Sequence, residues 1–172
     1  YDNIKVKGKS SRHDLALDCF RLSFCLMGMN SADLYSADRW KDNFIIYDRM
    51  KTKDRRRDKA EIQVNITDYV KPLIEKYKGK ERVFNFYERF ATMESFNRAI
   101  NIGLKEIGKE IGIERLQFYA ARHSMATIAV NDVKISKYIV NDMLNHTDQS
   151  LRITELYIKK DFNTINEANV KL

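Results

Sequence analysis

Proline occurs once in this chain and glycine six times. That scarcity removes the turn chemistry on which sandwiches and barrels depend, and it removes the composition of linkers and disordered segments. What remains favours a mainly helical fold. Cysteine is nearly absent as well: Cys19 and Cys25 are the only two, and there is no CxxC. On a helix they do not share a face, so they read as small core residues in a reducing compartment, not as a disulfide or a thiolate metal site. Histidine occurs three times, and no Asp/Glu/His cluster has metal-ligand spacing. No metal and no cofactor are expected. No long apolar run exists to span a bilayer or to lead secretion, so no membrane partner is expected. The chain opens at Tyr1 without an initiator methionine and reads as a fragment of a longer protein.

What is present is a 44% hydrophobic fraction over 172 residues, enough for one domain spanning 1–172 with a real core. The net charge is +7. It suits an anionic polymer such as DNA or RNA, and equally an ordinary basic protein.

Along the chain, 11–27 reads as an amphipathic helix capped by Ser11 and stopped by Gly28, with Leu15, Leu17, Phe20, Leu22, Phe24 and Leu26 on its buried side. A turn at 30–34 starts a second, short helix. The period then changes. Phe44 to Tyr47 is a strand-like run and Glu61 to Ile66 alternates with period two. They predict an antiparallel β-hairpin with a highly basic connection over 48–59, the outline of either a solvated loop or a DNA-groove hairpin. Thr67 or Asp68 opens a helix to about Tyr77, with Pro72 tolerated in its first turn and Gly79 ending it. Thr92 caps a helix to about Ile111, and helices follow over 118–131, 136–144 and 150–160. A weakly amphipathic tail closes the chain.

The residues that carry chemistry gather between Leu116 and Ile158. Arg122 enters a largely apolar helix, where an arginine is either paired with a carboxylate or bound to an anion. His123 beside it reads as a hydrogen-bonded core histidine. His146 follows Leu144-Asn145 at a helix end, and Tyr157 lies on an amphipathic helix, where most tyrosines are core.

In order and setting these residues resemble the tyrosine recombinases (phage-type integrases). Tyr119-Ala120-Ala121-Arg122-His123-Ser124 is similar to the family's H-x-x-R-H-[ST], Leu144-Asn145-His146 to L-G-H, and Thr154-Glu155-Leu156-Tyr157 to T-x-x-Y. Lys51-Thr52 resembles the family's β-hairpin lysine. The segment 28–34 resembles the one that carries the first catalytic arginine. Three departures stand out. Asn30 occupies the place of that arginine when Asp33 is aligned with the family's acidic residue. Tyr119 replaces a histidine. The interval from His146 to Tyr157 is about two residues longer than is common. The longer spacer and the L-N-H form resemble integrases of conjugative and integrative elements.

The resemblance implies a recombinase catalytic-domain fold, mainly α with a small antiparallel β-sheet, and metal-independent DNA strand cleavage and rejoining. Tyr157 would attack the scissile phosphate, giving a 3′-phosphotyrosyl link and a free 5′-hydroxyl. Arg122 would clamp phosphate oxygens. His146 would donate a hydrogen bond to one of them, Lys51 would protonate the leaving 5′-oxygen, and Tyr119 would position the phosphate. Arg39 is a candidate cation to compensate for Asn30, with no spacing argument behind it. Lys53, Arg55, Arg56 and Arg57 would contact DNA phosphates. The partners implied are double-stranded DNA and further copies of the chain, as a tetramer on paired sites, with 161–172 as a C-terminal exchange tail and an upstream DNA-clamping domain outside this sequence. The implied location is the bacterial cytoplasm and nucleoid. The competing readings are a catalytically silent DNA-binding module, as a recombinase relic or regulator, and a structural helical domain whose charge is incidental.

Overall fold

The computed structural model describes residues 11–55, 58–146 and 161–172. The chain is mainly helical, with one three-stranded antiparallel sheet. Its helices are α1 (Ser11–Cys25), α2 (Ser31–Ser36), α3 (Lys71–Lys76), α4 (Phe86–Arg89), α5 (Met93–Glu110), α6 (Tyr119–Asn131), α7 (Lys137–Met143) and α8 (Phe162–Val170). The strands are β1 (Arg39–Lys41), β2 (Phe44–Asp48) and β3 (Glu61–Asn65), in the order β1-β2-β3.

Helix α1 is the centre. It packs against α5 and α6 and also touches α2 and α3. Its apolar residues therefore do not form one stripe. Ala16, Cys19 and Leu22 are fully buried, Leu17, Phe20 and Phe24 are partly covered, and of residues 12–25 only Arg12 is exposed. The α1–α5 crossing is close because Gly103 has no side chain. A Cβ there would lie 2.6 Å from Ala16 Cβ and 2.8 Å from the Arg12 carbonyl oxygen. A position that costs helix propensity thus permits the main packing contact. Thr92 and Ser95 form a reciprocal capping box at the start of α5. An aromatic stack, Phe84–Phe86–Phe96, with centroids 5.5 and 4.5 Å apart, ties α4 and its approach to α5.

The expected hairpin is present, with Phe44 opposite Asn65 and Asp48 opposite Glu61. It gains an unexpected third strand, β1, on the outer edge of β2. Only three residues long, β1 is too short to show a period. Helix α3 begins at Lys71, not at Thr67 or Asp68. Thr67 instead accepts the Val70 and Lys71 N–H bonds of a preceding turn through its carbonyl, and Pro72 falls in the first helical turn as expected. The tail is a helix, α8, packed on its own domain against β3 and α7. Asn166 clips it there. Its Oδ1 accepts the Asn65 N–H at 2.6 Å, and its Nδ2 donates to the Gln63 and Phe162 carbonyls. The helix expected over 150–160 lies outside the described residues. Among the described residues, no helix is long and apolar enough to cross a membrane.

Candidate active site

Two helix ends build the floor of the site. Helix α1 closes in a turn where Met27 adopts φ +56° and the Gly28 N–H reaches back to the Ser23 carbonyl at 2.7 Å. Helix α7 closes in a Schellman turn. Asn145 takes φ +50°, its N–H reaches the Asp142 carbonyl, and the His146 N–H reaches the Asn141 carbonyl, both at 2.9 Å. Asparagine tolerates the left-handed region better than most residues, which explains its place in Leu144-Asn145-His146. Its side chain also donates to the Ala60 carbonyl at 2.9 Å, tying this turn to the base of the hairpin.

These turns direct carbonyls at Arg122. The residue lies on α6 among Ala121, Met125 and Ala129 and is 4% exposed. Its Nη1 donates to the Gly28 carbonyl at 2.9 Å and its Nη2 to the Leu144 carbonyl at 2.5 Å. Both acceptors sit at helix C-termini, where the helix dipole favours a cation. Nη2 also lies 3.3 Å from His146 Nε2. That contact makes Nε2 the acceptor and puts the imidazole proton on Nδ1. Burial, then the charges of Arg122, Arg49 and Lys51, holds the His146 pKa below the ordinary histidine value, so the ring is neutral at neutral pH.

Lys51 lies three residues past the end of β2 and is exposed. Its effect on His146 shows that the hairpin brings it within electrostatic reach of the α7 turn. Arg122 and His146, remote in sequence, are therefore brought into contact, with Lys51 near enough for its charge to act on the ring. Tyr119 stands one turn before Arg122, 46% exposed, with its ring edge-on to His123 at 4.7 Å. His123 is exposed, not a core histidine. Helix α6 buries its 121, 122, 125 and 129 positions, and residue 123 falls on the other side. Asn30 is half-buried at the N-cap of α2, and its side chain makes no capping bond.

Arg39 does not supply the expected extra cation. It is held by Asp48 at 2.5 Å and Glu61 at 2.9 Å on the outer face of the sheet. The guanidinium beside Arg122 belongs to Arg49, which in the sequence is one of a basic run with no individual role. Arg49 is 6% exposed, and its Nη1 reaches the Leu144 and Asn145 carbonyls, each at 3.3 Å. A signal for it existed. Ile45 and Tyr47 are the buried positions of β2, and Arg49 is the next residue in that period. Asp33, 2% exposed, completes the cluster. Its carboxylate accepts the Met50 N–H at 2.9 Å and lies within electrostatic reach of both arginines. Burial raises its pKa, while those partners oppose the rise.

No known protein family, curated protein or solved structure matches this chain.

Of the other expected site residues, Lys53 and Arg55 lie in a short 3-10 turn within the hairpin connection, Lys53 half-buried and Arg55 exposed. Arg56, Arg57 and Tyr157 lie outside the described residues. Among the described residues, no group of three His, Cys, Asp or Glu side chains could hold a metal ion. The assembled site is thus a buried cationic floor with a neutral imidazole and an exposed ammonium at its rim, an arrangement suited to an oxyanion.

Proposed function

We propose that this chain is the catalytic domain of a tyrosine recombinase, a site-specific DNA strand transferase that cleaves and rejoins DNA through a 3′-phosphotyrosyl intermediate. The observation that carries the reading is Arg122. It is a buried cation anchored by carbonyls alone, with no carboxylate at ion-pair distance among the described residues, beside a neutral imidazole that retains an N–H to donate. A buried guanidinium whose nearest buried carboxylate, Asp33, acts on it only from a distance and is shared with Arg49 is costly unless an anion joins it.

In this reading the Tyr157 phenol oxygen bonds to phosphorus as the P–O5′ bond breaks. The phenol, with a pKa of about 10 in isolation, releases one proton to solvent water, and the 5′-oxygen gains one from Lys51, which solvent then reprotonates. Arg122 spends part of its guanidinium on the two carbonyls and the His146 ring, and the N–H groups left over meet the developing charge. The His146 Nδ1–H donates to a non-bridging oxygen, and Tyr119 positions the phosphate from the exposed end of α6. The phosphotyrosyl bond stores the energy of the broken linkage, so rejoining needs no nucleotide. Lys53 and Arg55 to Arg57 supply phosphate contacts, making affinity fall with salt. The protein acts as a tetramer on paired sites in the bacterial nucleoid.

The test is a nicked duplex built on a sequence that the full-length protein itself selects from a random library. Covalent adduct should accumulate with the natural chain and vanish in Tyr157→Phe. Adduct that persists in Tyr157→Phe removes the nucleophile assignment. Sequence-selective, salt-dependent binding with no adduct at all supports the second reading, a silent DNA-binding module. The observation favouring that module is the uncharged Asn30 at the start of α2.

A further inference from the structure

Two buried arginines, not one, converge on the C-terminal turn of α7: Arg122 from α6 and Arg49 from the end of β2 both donate to the Leu144 carbonyl. Guanidinium groups do not lose their charge in proteins. Asp33 is the one buried carboxylate among the described residues acting on both, and its charge is shared with the N–H groups of Met50 and Asn30. The cluster therefore carries an excess of buried positive charge. Arg49 is also the less satisfied of the pair. Its Nε is buried without a hydrogen-bond partner, its two carbonyl contacts are long, and its Nη2 makes no hydrogen bond among the described residues. A buried donor without a partner costs stability unless a ligand satisfies it.

The structure assigns Arg49 as the second cation of the phosphate site, lying beside Arg122 and neutralising the non-bridging oxygens of the scissile DNA phosphodiester in place of a charge at position 30. This rests on the phosphodiester-cleaving reading above. Neither Arg39, engaged by Asp48 and Glu61, nor Asn30, which is uncharged, can fill that role. In this arrangement no charge is needed at Asn30. The missing charge enters from the hairpin side of the cluster, and Asp33, from the same helix as the vacant position, bonds the residue next to Arg49 through the Met50 N–H.

The experiment compares Arg49→Gln with the natural chain on two nicked duplexes. One carries an ordinary scissile phosphate and the other a methylphosphonate, which is neutral at that position. Glutamine keeps a neutral N–H donor, but it removes the charge and also shortens the reach toward the Leu144 and Asn145 carbonyls, so the comparison between the two duplexes, not the loss on one, isolates the charge. Cleavage of the phosphate should fall by about 100-fold or more, as for loss of an oxyanion-stabilising donor. On the methylphosphonate the loss should shrink to less than about tenfold, because little charge remains to neutralise. Equal loss on both duplexes makes Arg49 a structural staple of the hairpin and overturns the proposal, as does undiminished cleavage of the phosphate. Absence of adduct with the natural chain would overturn the recombinase reading itself, a separable outcome. If Arg49→Gln fails to fold, the natural chain answers by NMR. Inorganic phosphate should shift the Arg49 Nε–H signal together with that of Arg122, and a shift of Arg122 alone overturns the proposal.

Discussion

Gly28 holds the first support of Arg122, and replacing it with alanine tests the whole cluster. The residue has φ +70°, and a Cβ there would lie 2.7 Å from Arg122 Cγ and 3.1 Å from its Cβ. Two costs add. Left-handed backbone costs a residue with a Cβ about 1–2 kcal/mol. Forcing a methyl into a filled space costs about 1–3 kcal/mol more. Gly112 separates them, because it has φ +74° but nothing within 4 Å of an added Cβ. Gly112→Ala should therefore lose about 1–2 kcal/mol and Gly28→Ala about 2–5 kcal/mol. Urea unfolding followed by far-UV circular dichroism gives both values, provided the slopes stay equal. In the proposed strand-cleavage reaction, Gly28→Ala should also lose more activity than its folded fraction explains, because the methyl pushes on Arg122, the side chain assigned to the phosphate there. If Gly28→Ala is no more destabilising than Gly112→Ala, the close approach of the α1 turn to Arg122 is refuted.

The His146 ring sets a pH dependence. Its folded pKa lies below the ordinary value, so between the two the unfolded chain binds a proton that the folded chain does not, and its contribution is complete above about pH 6.5 and lost as pH falls through the folded value. Unfolding free energies measured across pH 5 to 7.5 should show a steeper acid loss for the natural chain than for His146→Asn, and identical curves would rule this out. Asn166→Ala removes the clip between α8 and β3 and orphans the Asn65 N–H, so it should cost about 1–3 kcal/mol in the same urea assay. Hydrogen exchange in that variant should rise first in α8; unchanged exchange there would show that the helix is held by its apolar contacts instead.

Much of the fold was legible because it rests on local rules. The period of α5 with its Thr92 cap, the alternation of β2 and β3, and the stop at Gly28 are each written within a few residues. The misses have the opposite character. Strand β1 is defined by its pairing to β2. Helix α3 starts late because Thr67 holds the preceding turn. Residue 123 faces outward because α6 turns its other side to α1.

The candidate site divides along the same line. The sequence alone singled out the candidate polar side chains. Arg122, His146 and Lys51 are recognisable by type and order, and Asn145 by its tolerance of left-handed backbone. It marked Arg49 only as the next inward position after Ile45 and Tyr47 and could not show what would receive it there, because charge is a property of a residue and burial is a property of its neighbours. Arg49 turns inward because β2 delivers it to the carbonyls of Leu144 and Asn145, contributed by a turn far along the chain. Arg39 turns outward because Asp48 and Glu61 meet on the opposite face of the sheet. Local sequence thus specified the helix ends and the cations, and tertiary packing chose which two cations those helix ends would hold.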